Sequence, residues 1–499
     1  MQGKKQYQEK LFLSFQLSDH VPEDNFYRRL KQQIDFNFLY ARTAAYYGTE
    51  GQKSVDPVVF MKLMLVGYLE NINSDRRIIS IAKMRLDILY FLGYNLDEEL
   101  PWHSTLSRTR QLYGQEVFKE VFLSVLKQCI DKGMVAGRRQ AVDSVLVKAN
   151  ASLDSMIERE IVEDAADFAT ELDENANAEK KVPVIDFPAK KNPQNQTHYS
   201  PSDPDAKMAV KPGKATALNY VGQVSVDTAS HVITHIEAFT ADKRDCQCLP
   251  QVIEGLVDNL AQSDMKVEEV IADTGYSSGE ALRALEKNGI TGYIPNRTQF
   301  VSERPGFIYN NEGDYYTCPN SERLTYRATY QTLPGVYNKE YRVSKKRCNI
   351  CPLKSQCPVL KKHGAVINET VDKEYYQRMH ERMQTKRAGR LMKKRQSTVE
   401  PVIGTLVNYL GMKKVHTKGL ESANKCMMLS ATAYNMKKLL RHCSLLINFG
   451  AVQMRKTLQK PLKVLLSSLK LLFCSGSVLQ ISSNYFLCSL QRASLTSAR

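Results

Sequence analysis

The sequence has no apolar run of some 18 residues, the length a helix needs to cross a bilayer. Nor does an apolar leader follow the basic pair Lys4-Lys5, so the chain is expected in the cytoplasm, at the nucleoid if it binds DNA. A disulfide framework is missing as well. Eleven Cys is an odd number in 499 residues, which favours reduced thiols or metal ligation. Acid is the scarcer charge, with 53 Asp+Glu against 69 Lys+Arg, leaving a net +16. Such a surplus suits a polyanion, nucleic acid ahead of a membrane surface, because phosphates are neutralised by Lys and Arg. The length allows roughly two to four domains.

What is present centres on Glu269-Val270-Ile271-Ala272-Asp273-Thr274-Gly275-Tyr276, a short buried strand that ends in a carboxylate and a Gly-containing turn. A helix is expected from Gly279 to Lys287. A parallel strand delivering Asp273 to its C-terminal end puts a charge where open α/β sheets build sites, although a lone Asp there also serves as a helix cap.

Residues 1–135 read as helical. Asp56 caps a helix whose first position is Pro57 and which runs through Leu69. Ser74-Asp75 opens a second helix, and a Ser/Thr cap within Trp102 to Arg110 opens a third. Short helices carrying Arg108 and Arg110 fit a DNA-binding unit of helix-turn-helix type or a plain packing module equally well.

From Arg138 to Val147, alternation and β-branching predict a strand with Asp143 midway along it. An acidic segment, 158–195, reads as a solvated helix and loop. Strands follow at Lys207–Lys211, Tyr220–Asp227 and His231–Glu237, the last two as a hairpin, and then a helix from Leu249 to Gln262. Residues 291–365 change character. Cys318, Cys348, Cys351 and Cys357 fall there, with one C-x2-C pair, and could close a structural zinc site in a β-rich insertion, the alternative being free thiols. A basic helix follows, with Arg387, Arg390, Lys393, Lys394 and Arg395 running directly into Glu400. Lys413 and Lys414 sit in a basic loop beyond it. A last core helix spans 423–440, and the tail from 446 has no clear period. Same-sign charges that end at an inward carboxylate fit a helix that holds DNA.

Asp143, Asp273 and Glu400 therefore stand out. Phosphodiester chemistry uses two divalent cations about 4 Å apart, and hard ions such as Mg²⁺ accept a few convergent carboxylates. Asp205, Asp227 and Asp245 are reserve ligands, with structural roles the simpler account.

With these residues in hand, the chain resembles bacterial insertion-sequence transposases of the DDE class, and is similar to the IS1182 group within the IS4/IS5 type. The likeness rests on Ala141-Val142-Asp143-Ser144, Ser202 to Lys207, Val270 to Tyr276 and Arg395 to Gly404, and on the helical stretch from Asp56 to Arg110. It implies an α/β fold: an RNase H-like core, a mixed sheet flanked by helices, with a helical N-terminal domain and a small Cys-containing β-rich insertion. The expected divisions are 1–135, 136–290, 291–365, 366–445 and a tail, 446–499. It further implies Asp143, Asp273 and Glu400 as the metal-binding triad, two Mg²⁺ or Mn²⁺ ions, and DNA partners in the form of terminal inverted repeats and a target. A homo-oligomer on DNA, a dimer, is expected. A Lys found further along the Glu helix in relatives is Val407 here. The alternatives are a nuclease without strand transfer and a DNA-binding regulator with a degenerate catalytic domain.

Overall fold

The structure is a computed structural model that describes residues 15–48, 50, 54–158, 194–210, 215–297, 300, 304–333 and 336–444. The chain divides into Met1–Leu439 and Leu440–Arg499, and all labelled elements lie in the first unit except the end of the last helix. The expected acidic helix falls almost wholly outside the described residues, as does the tail from 446.

The N-terminal part is helical: α1 (Phe26–Gln33), α2 (Pro57–Leu69), α3 (Asp75–Met84), α4 (Leu86–Leu92), α5 (His103–Leu112) and α6 (Gln115–Asp131). Helix α2 starts as its sequence dictates. Asp56 accepts from the amides of Val58 and Val59, and Pro57, having no N–H, needs no acceptor. It is buried on nearly every side, so the other helices assemble around it. Two caps differ from expectation. Ser74 and Trp102 hold the cap positions of α3 and α5, and neither side chain accepts a capping bond. Ser104 and Thr105 lie inside α5, because the chain turns helical as soon as Trp102 leaves its extended conformation.

Next comes a mixed sheet of β1 (Arg139–Lys148), β2 (Lys207–Ala209), β3 (Ala217–Asp227), β4 (Ile233–Thr240), β5 (Glu269–Ile271) and β6 (Thr291–Tyr293). Strand β3 lies between β1 and β4 and is antiparallel to both, while β5 and β6 continue from β1 in parallel. The short β2 shares the β4 edge of β3, pairing with its first residues. Helix α7 (Asp245–Ala261) packs on one face, where the Cβ position of Gly255 abuts the His235 ring. Helix α8 (Gly279–Lys287) joins β5 to β6.

A second sheet is inserted after β6, made of β7 (Ile308–Asn310), β8 (Tyr315–Thr317), β9 (Arg323–Leu333), β10 (Val336–Arg342), β11 (Leu360–Lys361) and β12 (Gly364–Thr370). Its order is β11-β12-β10-β9-β8-β7, around a small core that includes Tyr316, Leu324, Tyr341 and Ile367. The chain then returns through α9 (Lys373–Met383) to the long α10 (Lys386–Tyr409). Ala388 and Leu391 of α10 pack on Ile271 and Tyr293, on the sheet face opposite α7. The two faces follow from register, since Ile271 pairs with Ala141 whereas His235 aligns through Ser225 with Val142. The last helix, α11, runs over 420–444, with its residues to 439 in the first unit. Its Asn435 side chain both donates to and accepts from the Ile233 backbone, and Asn424 accepts from Ala238 N, so polar side chains occupy part of the β4 edge.

Candidate active site

The parallel register of β1 with β5 pairs Gln140 with Val270 and Ala141 with Ile271. Two residues on, the same register carries Asp143 alongside Asp273 at the C-terminal end of β5. Asp143 stays in the strand, its Oδ1 accepting from Ser144 N, while Asp273 begins a single 3-10 turn and its Oδ1 accepts from Gly275 N at 2.8 Å. Asp273 therefore caps this short turn, whereas the following helix, Gly279–Lys287, is capped by Ser278.

Between the two carboxylates lies Arg395 of α10. Its Nη2 is 2.9 Å from Asp143 Oδ2 and 3.6 Å from Asp273 Oδ2, and its Nε donates to Val142 O. The Arg395 side chain is only 7% exposed, Asp143 18% and Asp273 45%, so the acidic pair opens to solvent on the Asp273 side. A buried guanidinium is stable there because two carboxylates face it. The donor chemistry also suits a divalent metal, with hard oxygens gathered where the fold already places a positive charge.

Below this pair, the buried Tyr276 hydroxyl donates to Gln223 Oε1, and Gln223 Nε2 donates to Asp245 Oδ1 at 2.9 Å. Burial, and then the Asp245, Asp143 and Asp273 carboxylates, hold the Tyr276 phenol protonated well above its ordinary range. Tyr276 belongs to the motif that ends in it. Gln223 left a fainter sign, a long polar side chain between Gly222 and Val224 at the middle of the strand, and sequence reasoning passed over it.

Glu400 is on α10 but exposed. The helix turns Arg395, Val399, Val402 and Leu406 inward, and Glu400 is about 100° round from Val399. Among the described residues, no three His, Cys, Asp or Glu side chains are gathered closely enough to hold a metal ion. The structure therefore brings Asp143 and Asp273 together and leaves Glu400 on the exposed face of α10.

The basic residues divide. Arg108, Arg390, Lys393, Lys394 and Lys413 are exposed, and Lys414 is half-buried. Arg387 is exposed yet tied to Glu269 and lies over the Tyr293 ring. The Arg110 guanidinium is turned inward, 2.5 Å from Asp75, and its helix backbone accepts from Lys425. Asp227 accepts from Gly137 N, Gln140 Nε2 and Ala229 N, and Asp205 from Leu420 N, so both are structural anchors. Cys318, Cys348, Cys351 and Cys357 line one cleft of about 340 Å³ in the second sheet's domain, where the Ala365 amide points at Cys348 Sγ.

Two family profiles match the chain: "Transposase domain (DUF772)" over residues 15–112 and "Transposase DDE domain" over 317–440. The second match includes Glu400 and begins beyond both aspartates. No curated protein matches closely enough to count as a relative. Of solved structures, a piggyBac transposase synaptic complex with hairpin DNA is 10% identical, covering 84% of this chain and 74% of that one, with a TM-score of 0.30. A Mos1 transposase paired-end complex is also 10% identical, covering 53% and 67%, with a TM-score of 0.16. The chain thus carries a transposase domain over residues 15–112 and a transposase DDE domain over 317–440, the domain content of DDE-class transposases, which cleave and transfer DNA.

Proposed function

We propose that Asp143, Asp273 and Glu400 form the acidic triad of this transposase and hold two divalent cations, Mg²⁺ or Mn²⁺. The observation that carries the reading is the β1/β5 register, which aligns Asp143 and Asp273 on either side of Arg395. When bound, such cations activate the attacking oxygen and stabilise the leaving one. The chain's own residues aim the carboxylates: Gly275 N fixes Asp273, Ser144 N fixes Asp143, and Arg395 keeps the pair from repelling. The exposed Lys393, Lys394 and Arg390 of α10 would hold the DNA backbone near the site, with Arg108, Lys413 and Lys414 further along it.

On this reading the mixed sheet with its single antiparallel β3 is an RNase H-like core, completed by 366–445 after an insertion at 291–365. The N-terminal 135 residues grip the element's inverted repeats, and the enzyme acts as a dimer of the IS1182 group. The four insertion cysteines hold a structural zinc ion, supported by their shared cleft.

The test is cleavage of DNA bearing the element's ends with Mg²⁺. Asp143→Asn, Asp273→Asn and Glu400→Gln should each lower cutting at least a thousandfold and leave DNA binding measurable. Near-normal cutting by any one removes that residue from the site. Cut ends that never appear in joined products would favour a nuclease.

A further inference from the structure

The proposal rests on the metal-binding reading above and adds a residue to it. Asp245 is the first residue of α7, where an acid usually serves its own helix. Here that task is met elsewhere, since Gln247 Oε1 accepts from Arg244 N at the helix start. The hydrogen bond of Asp245 goes sideways instead, to Gln223 Nε2 from the neighbouring strand β3.

The turn after Asp273 shows what its other oxygen faces. A side-chain atom built at the Cβ position of Gly275 would lie 2.9 Å from Asp273 Oδ1 and 3.3 Å from Asp245 Oδ2. One point is thus within contact of both carboxylates, and the residue beside it has no side chain to fill the space. Asp245 Oδ2 has no hydrogen bond or ion pair among the described residues, and its side chain is half-buried rather than fully solvated. The chain Tyr276 Oη to Gln223 to Asp245 Oδ1 locks the carboxylate's rotation from behind. A held carboxylate with one oxygen tied and the other aimed at a second carboxylate is the arrangement of a cation ligand.

We propose that Asp245 is a further cation-holding carboxylate of the active site, sharing a divalent ion with Asp273 either directly or through its water shell. Asp227, equally acidic in the sequence, has both oxygens taken up by backbone and side-chain donors, and Asp205 is exposed and accepts from Leu420 N. Helix α7 thereby contributes to the site from the sheet face opposite α10.

Mn²⁺ binding to the full chain without DNA, followed by electron paramagnetic resonance of the free ion, tests this apart from turnover. Asp245→Asn keeps the size and the Gln223 contact, and should raise the Mn²⁺ Kd about tenfold. Asp245→Glu should recover part of the affinity. Gly275→Ala keeps every carboxylate but puts a methyl group in the shared space, and should weaken Mn²⁺ severalfold, which keeps the idea testable if Asp245→Asn does not fold. A Kd within twofold of the wild type for folded Asp245→Asn, with Asp143→Asn and Asp273→Asn impaired, overturns the role of Asp245 alone. Wild-type binding by all three Asn variants overturns the underlying metal site as well.

Discussion

Arg395→Gln removes a buried positive charge from between two carboxylates. The Arg395 nitrogen is 2.9 Å from Asp143 and 3.6 Å from Asp273. At about 4 Å, one such unit-charge pair is worth about 4 kcal/mol in the effective dielectric near a protein surface, before desolvation is counted. Removing one partner of a buried pair costs about 3–5 kcal/mol. Asp273 is 45% exposed and water screens its share, which puts the expected loss at the low end, about 3 kcal/mol. With an unfolding entropy of about 2.1 cal/mol/K per residue over Met1–Leu439, that loss lowers Tm by about 3 °C. The response to metal gives the sharper sign. A divalent cation restores the missing charge, so the variant should bind it more tightly than the wild type does; a Kd lower by about a hundredfold gives the variant about 2.7 kcal/mol more stabilisation than the wild type at saturation. Melting in EDTA should therefore place Arg395→Gln below the wild type, and saturating MgCl₂ should close most of the gap. If the variant melts with the wild type in EDTA, or if its deficit is the same with and without Mg²⁺, Arg395 is not standing in for a cation.

Three further outcomes are expected. Protein purified without chelator should carry one zinc per chain by plasma mass spectrometry, and Cys351→Ser should lose most of it, whereas a wild-type metal content in that variant excludes Cys351 as a ligand. Gly279→Ala would drive a methyl group to 1.8 Å from the buried Asp372 carboxylate that Arg283 holds, and should cost about 1–3 kcal/mol in urea unfolding; a neutral result would mean that α8 and α9 can separate freely. Burial pushes the Cys248 thiol up to about 12, so native protein at pH 8 should resist alkylation there. Because the unfolded thiol ionises near its ordinary value of 9.0, this group's contribution to stability is full below that pH and is lost as pH rises toward 12.

Much of the site's framework was legible in local pattern. The strand around Asp143, the strand leading to Asp273 and the helix Gly279–Lys287 announce themselves through β-branching, burial and turn residues, and all three form. Asp56 and Pro57 likewise start their helix through short-range chemistry. What could not be read is whatever depends on contact between distant segments. Arg395 looked like one more member of a basic run, and only the packing of α10 on the sheet turns it inward while its neighbours Lys393 and Lys394 stay in solvent. Arg110 sits similarly in a basic helix start, yet Asp75 from another helix claims its charge. Asp205, Asp227 and Asp245 were alike as letters. Their roles separate only once Leu420, Gly137 and Gln223 arrive beside them.

The insertion between β6 and α10 also has a temporal consequence. Synthesis proceeds at about 5–20 residues per second, so Arg395 emerges on the order of ten seconds after Asp273. Until it does, a growing chain holds two neighbouring acids with no guanidinium between them, although their strands already have every partner they need to pair. The nascent sheet is therefore weakest just where the enzyme will later do its chemistry, and α10 arrives as the element that locks it.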